Sequence, residues 1–73
     1  MEKNEFSFEK GWMQARQHDV SQIRQKIMRV FEITTRQGFR DRLYGRIFYK
    51  DIEKAAVEAI FAEYGITDVW GTV

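Results

Sequence analysis

Cysteine is missing from this 73-residue chain and histidine occurs once. No disulfide framework is therefore possible, and the lack of covalent staples predicts a reducing interior such as the cytoplasm. His18 stands beside Asp19 with no cysteine or second histidine to complete a metal shell, so neither a metal nor another cofactor is expected. For the same reason a catalytic triad would have to draft His18 as the base of Ser7 or Ser21, and proximity in sequence supplies no such geometry. The glycines at 11, 38, 45, 65 and 71 match neither a P-loop nor a dinucleotide fingerprint. Carboxylate pairs such as Asp51 with Glu53, or Glu58 with Glu63, are what helix surfaces ordinarily carry. An enzyme is not expected. No apolar run reaches membrane-spanning length, and the start, "MEKNEFSFEK", is too polar for a secretory signal, which predicts a protein with no membrane partner.

What is present is apolar and aromatic enough for a core: 44% hydrophobic residues and 15% aromatics, without proline. One small domain over residues 1–73 is expected, resting on a few large side chains because a chain this short buries only about 60% of its unfolded surface. The net charge of +1 hides a division. Residues 14–50 carry Arg16, Arg24, Lys26, Arg29, Arg36, Arg40, Arg42, Arg46 and Lys50 against Asp19, Glu32 and Asp41, while residues 51–73 set Lys54 against Asp51, Glu53, Glu58, Glu63 and Asp68. A basic middle followed by an acidic end predicts a bipolar molecule whose cationic side suits phosphate, unless the charges are merely a solvated surface.

Periodicity predicts an all-α fold of about four helices joined by short turns. Asp19 with Gln22 resembles a capping box, and Val20, Ile23, Ile27, Val30 and Phe31 then form an inward stripe opposite Gln22, Arg24, Gln25, Lys26 and Arg29. Thr34, with Gln37 three residues on, is expected to cap the next helix, which would run from Thr35 with Phe39, Leu43 and Ile47 inward and stop at Gly45. Asp51 opens another helix that ends at Gly65. It is apolar on two sides, Ile52, Ala56, Ala59 and Ile60 on one and Val57, Phe61 and Tyr64 on the other. The second side predicts either cover by Val69 and Trp70 of the tail or a homodimer through Val57, Phe61 and Tyr64. For the first segment the reading favours a helix capped by Ser7 that presents Phe8, Trp12 and Met13, although "EFSF" alternates like a short strand.

The stretch "TTRQGFRDRLYGRIFYK" is thus too apolar for a tail and too basic for ordinary core. A well-marked helix, a tight junction "FEITTRQ" and a short basic helix follow one another in the order of a helix-turn-helix unit. Residues 19–66 resemble the lambda-repressor-like (Cro-type) helix-turn-helix domains. "VFEITTRQGFRDRLYGRI" is similar to the end of their second helix, the turn and the recognition helix, and "AIFAEYGI" to the end of their last helix. The chain departs from the family in three places: Glu32 stands where glycine is preferred in the turn, Thr34 to Gly45 is one residue long, and Arg46 to Lys50 lacks a polar, proline-bearing loop.

The resemblance implies a small double-stranded DNA-binding protein that regulates transcription. By position, Thr35, Arg36, Gln37 and Arg40 would then reach base edges, with Arg42, Tyr44, Arg46 and Lys50 on phosphates. Structural alternatives stand beside these roles. Gln37 suits the cap of Thr34, Arg36 suits a pair with Glu32, and Tyr44 suits half-buried core. The rival function is a protein–protein interaction module that uses the acidic helix. RNA binding is disfavoured because most aromatics fall at helical core spacings rather than on an exposed platform.

Overall fold

A two-residue strand, β1 (Phe6–Ser7), opens the computed structural model, which describes residues 5–72. Over those residues four helices follow, α1 (Glu9–Met13), α2 (Gln17–Phe31), α3 (Arg36–Leu43) and α4 (Asp51–Ala62). The chain returns in β2 (Gly71–Thr72), antiparallel to β1, with Phe6 opposite Thr72 and Ser7 opposite Gly71. The fold is mostly helical, and the all-α expectation needs correction by this small sheet. The favoured Ser7-capped helix gives way to the strand reading over Phe6–Ser7, because β2 supplies the backbone partners that hold these residues extended. Helix begins only at Glu9, whose N–H donates to Ser7 Oγ at 3.4 Å. Residues 1–4 of the polar start, and Val73 of the tail, lie outside the described residues.

The cap expected at Asp19 is displaced. Arg16, extended at φ −70° and ψ 147°, is the N-cap of α2, and its carbonyl accepts from the N–H groups of Asp19 and Val20 at 2.9 and 3.2 Å. Asp19 falls in the first turn, where its carboxylate faces the positive end of the helix dipole. Ile23, Ile27 and Phe31 are buried as the stripe predicts, with Val20 and Val30 at its half-buried margins.

α2, α3 and α4 end in one and the same way, with crossed backbone bonds around a left-handed residue. Ile33 N–H donates to Met28 O and Glu32 N–H to Arg29 O (3.0 and 3.2 Å); Arg46 to Asp41 and Gly45 to Arg42 (2.9 and 3.2 Å); Ile66 to Phe61 and Gly65 to Ala62 (both 3.0 Å). Gly45 and Gly65, at φ 72° and 78°, are the stops that the sequence announces. Glu32, at φ 55° and ψ 40°, adopts the same conformation with a full side chain.

Phe8 is the centre of the core. It is fully buried, with the rings of Phe31, Phe39, Tyr49, Phe61 and Trp70 at 5.9–6.4 Å from its own. Tyr49, 1% exposed, donates its hydroxyl to the carbonyl of Arg42, and burial pushes the phenol pKa up, so that it stays a neutral donor. α4 opens after Lys50, whose N–H donates to Glu53 Oε1 at 2.8 Å, so Asp51 is its first helical residue rather than its cap.

Of the two ways offered to cover Val57, Phe61 and Tyr64, a homodimer or the chain's own tail, the structure shows these side chains taken up within the chain. Val57 and Phe61 have no exposed surface, and the half-buried Tyr64 donates to Gln22 Oε1 at 3.1 Å beneath Lys26, whose Nζ lies 5.0 Å from the ring centre. These larger side chains, with Ile60, face the core, and the tail folds back: Val69 is buried and Trp70 Nε1 donates to Glu58 at 2.7 Å. The side of α4 left outside is Ile52, 77% exposed, with Ala55, Ala59 and Ala62. Among the described residues no helix is long and apolar enough to cross a membrane.

Candidate nucleic-acid interface

α3 hangs on two residues. Phe39 and Leu43, four positions apart and each 5% exposed, fix one side of an eight-residue helix in the core. At about 100° per residue, Gln37 points away from that side, Arg40 flanks it, and Arg36, at the first turn, projects next to Leu43; all three are exposed. The cap is Thr35, one residue beyond the expected Thr34: Thr35 Oγ1 accepts from Gly38 N–H at 3.0 Å, so the exposed Thr35 is already engaged. Gln37 serves no cap. Its Nε2 donates to Asp41 Oδ1 at 3.0 Å along the helix surface.

The remaining basic residues divide. Arg46 Nη1 lies 3.2 Å from the same Asp41 oxygen and its guanidinium 5.3 Å from the ring centre of Tyr44, which is 39% exposed. Lys50 is exposed at the entry to α4. Arg42, expected on phosphate, instead lies against the core. It is half-buried, its guanidinium carbon is 4.8 Å from the ring centre of Phe31, and its Nε is buried without a hydrogen-bond partner. Arg42 and Arg40 stand on opposite margins of the inward side, and it is the ring of Phe31 on the Arg42 margin that gives this guanidinium a surface to pack on.

The structure brings Arg36, Arg40 and Tyr44 into one groove of about 290 Å³ and adds two residues that periodicity does not assign to it: Arg24 of α2 and Trp12 of α1, over a floor completed by Phe39 and Leu43. Trp12 packs edge to face with Phe39, ring centres 5.1 Å apart. Charge type puts Arg24 with the solvated residues of α2; its spacing of three from Ile27 and seven from Phe31 is the signal that it borders the stripe. None of the ion pairs among the described residues uses Arg24, Arg36 or Arg40.

Elsewhere the surface is of another kind. A second, more open depression of about 430 Å³ is lined by Phe6, Asp51, Lys54, Ala55, Glu58 and Trp70. Its charges answer one another, since Lys54 Nζ is 3.4 Å from Asp51 Oδ1 and Glu58 takes the indole N–H. His18 is largely exposed with its Nε2 3.4 Å from Asp19 Oδ1, and no group of three or more histidine, aspartate or glutamate residues is arranged to hold a metal among the described residues. No protein-family model matches the chain, and no curated protein or solved structure matches it either.

Proposed function

We propose that this chain is a small DNA-binding protein that presents α3 to the duplex as the recognition helix of a helix-turn-helix unit, in the service of transcription control and without enzymatic activity. The observation that carries the reading is the pairing of a fixed inner side with an uncompensated outer one: Phe39 and Leu43 are buried while Arg36 and Arg40 are exposed with no carboxylate partner among the described residues. Support also comes from the junction. α2 and α3 are separated by residues 32–35, and Glu32 takes the left-handed conformation that glycine favours in such turns. In this reading Arg36, Gln37 and Arg40 meet base edges, and Thr35, Tyr44, Arg46 and Lys50 meet the backbone. Arg42 contributes by packing on Phe31.

The test is electrophoretic binding to a pool of random duplexes at two salt concentrations. Micromolar binding that weakens steeply with salt is expected, because neutralised phosphates release counterions. Absence of any salt-dependent binding would transfer the chain to its second reading, a protein–protein interaction module. That reading draws on Phe48 and Ile52, 55% and 77% exposed, which leave apolar surface uncovered near the start of α4.

A further inference from the structure

The groove between α1, α2 and α3 has a mixed lining that backbone phosphate alone does not use. It is lined by the guanidinium-bearing residues Arg24, Arg36 and Arg40 together with Trp12, Phe39, Leu43 and Tyr44; Phe39 and Leu43 are 5% exposed, so the aromatic surface open to a ligand is that of Trp12 and Tyr44. A phosphate would satisfy the arginines and leave the aromatic floor wet. A paired base cannot reach it either, because both its faces are stacked within the duplex. An unpaired nucleotide satisfies both parts, its phosphate on the Arg24 fork, with Arg36 and Arg40 left to the adjoining duplex, and its base against Trp12. At about 290 Å³ the groove falls just below the usual range of ligand sites, roughly 300 to 1,000 Å³, a size for one such unit rather than a peptide segment. We propose that this groove holds one unpaired nucleotide of the bound DNA, so that the protein prefers duplexes carrying a bulged or overhanging base. The inference rests on the reading of α3 as a DNA-binding element and adds Arg24 and Trp12 to it.

Arg24 is the informative position, because it comes from α2, outside the segment assigned to the duplex itself. The experiment is fluorescence anisotropy with two labelled duplexes of the same sequence, one fully paired and one with a single extra adenosine, on the native protein and on Arg24→Gln, with circular dichroism to show that the variant is folded. Tighter binding of the bulged duplex by about tenfold is expected, the scale of one base stacked on an aromatic side chain. Arg24→Gln should bring the ratio of the two affinities to near one. Deoxyadenosine monophosphate at millimolar concentration should lower bulged-duplex binding to the paired level and no further.

Equal affinity of the native protein for both duplexes would overturn the proposal and leave the DNA reading standing. A preference that survives in folded Arg24→Gln would overturn the assignment to this groove. Binding of neither duplex ends both readings. Displacement of the bulged duplex by a short glutamate- and leucine-containing peptide, in native protein but not in Arg24→Gln, would overturn the nucleotide and give the groove to an acidic protein ligand.

Discussion

α3 and α4 contribute to one core and leave opposite materials outside it. α3 buries Phe39 and Leu43 and exposes Arg36, Gln37 and Arg40; α4 buries Val57, Ile60 and Phe61 and exposes Asp51, Ile52, Ala55, Glu58, Ala59 and Ala62. The difference shows that burial and charge are assigned separately in this chain. Both helices meet the same structural demand with bulky residues on the inside, so the outside is free to specialise, α3 in uncompensated cations and α4 in small and acidic residues. A polyanion would find only one of these two surfaces attractive.

The largest expected effect tests the part that the two helices share. Phe39→Ala and Phe61→Ala should each cost about 3 to 5 kcal/mol in urea denaturation, the range for truncating a buried phenylalanine. A domain has a total stability of about 5 to 15 kcal/mol, so either variant should be close to unfolded. Retention of the native melting curve by Phe39→Ala, with loss of DNA binding, would show that Phe39 serves a ligand instead of the core, and the two helices would no longer be structural equals.

The next effect, on binding, tests the part in which they differ. Arg40→Ala should reduce discrimination between a preferred site and random DNA by about 1 to 3 kcal/mol, the range for one base-edge interaction. Arg46→Ala and Lys50→Ala should weaken all sequences alike and lower the salt slope by roughly one for each phosphate no longer neutralised. On α4, Glu58→Gln should change neither quantity. Loss of discrimination in Glu58→Gln equal to that in Arg40→Ala would erase the functional contrast between the helices.

Much of this contrast is legible in the sequence. The period of α2, the four-residue spacing of Phe39 and Leu43, the stops at Gly45 and Gly65 and the split of charge are all local patterns, and each reappears in the fold. What stays hidden depends on distant partners. Phe6–Ser7 are extended because Gly71–Thr72 pair with them, and nothing near "EFSF" announces that pairing. α4 has two apolar sides, and only the packing of Val57 and Phe61, with Val69 and Trp70 folded back, decides which is inner. Tyr49 gives no periodic signal because it lies in an irregular loop, yet it is among the most buried residues. The groove is half legible: Arg36, Arg40 and Tyr44 lie on one local element, whereas Arg24 and Trp12 reach it from two others.

A smaller effect is expected where α2 departs from the pattern of α3 and α4. All three helices stop on a left-handed residue, but α2 places Glu32 there. A side chain in that conformation costs about 1 to 2 kcal/mol, partly offset by the lower unfolded-chain entropy of a non-glycine residue. Glu32→Gly should therefore stabilise the domain by about 1 kcal/mol and raise its melting temperature by roughly 4 to 8 °C. Gly45→Ala and Gly65→Ala should move it the other way. A lower melting temperature for Glu32→Gly would mean that the Glu32 side chain contributes more than its backbone conformation costs.

The smallest effect is expected on the outer side of α4, and it bears most directly on whether that side is inert. Ile52 is 77% exposed, so its truncation removes little buried surface. Alanine is also the better helix former by a few tenths of a kcal/mol, which offsets the little packing that is removed. Ile52→Ala should leave stability within about 0.5 kcal/mol of the native value, the usual range for surface substitutions. The result depends on α4 facing water. If a second copy of the chain covered Ile52, the melting temperature of the native protein would rise with protein concentration, because association stabilises by mass action. Ile52→Ala would then lower it by several degrees in concentrated samples and sediment as a smaller species. Melting curves at two concentrations a hundredfold apart, on native protein and variant together, separate these outcomes. Superimposable curves would show that α4 faces water and that no second copy of the chain covers Ile52.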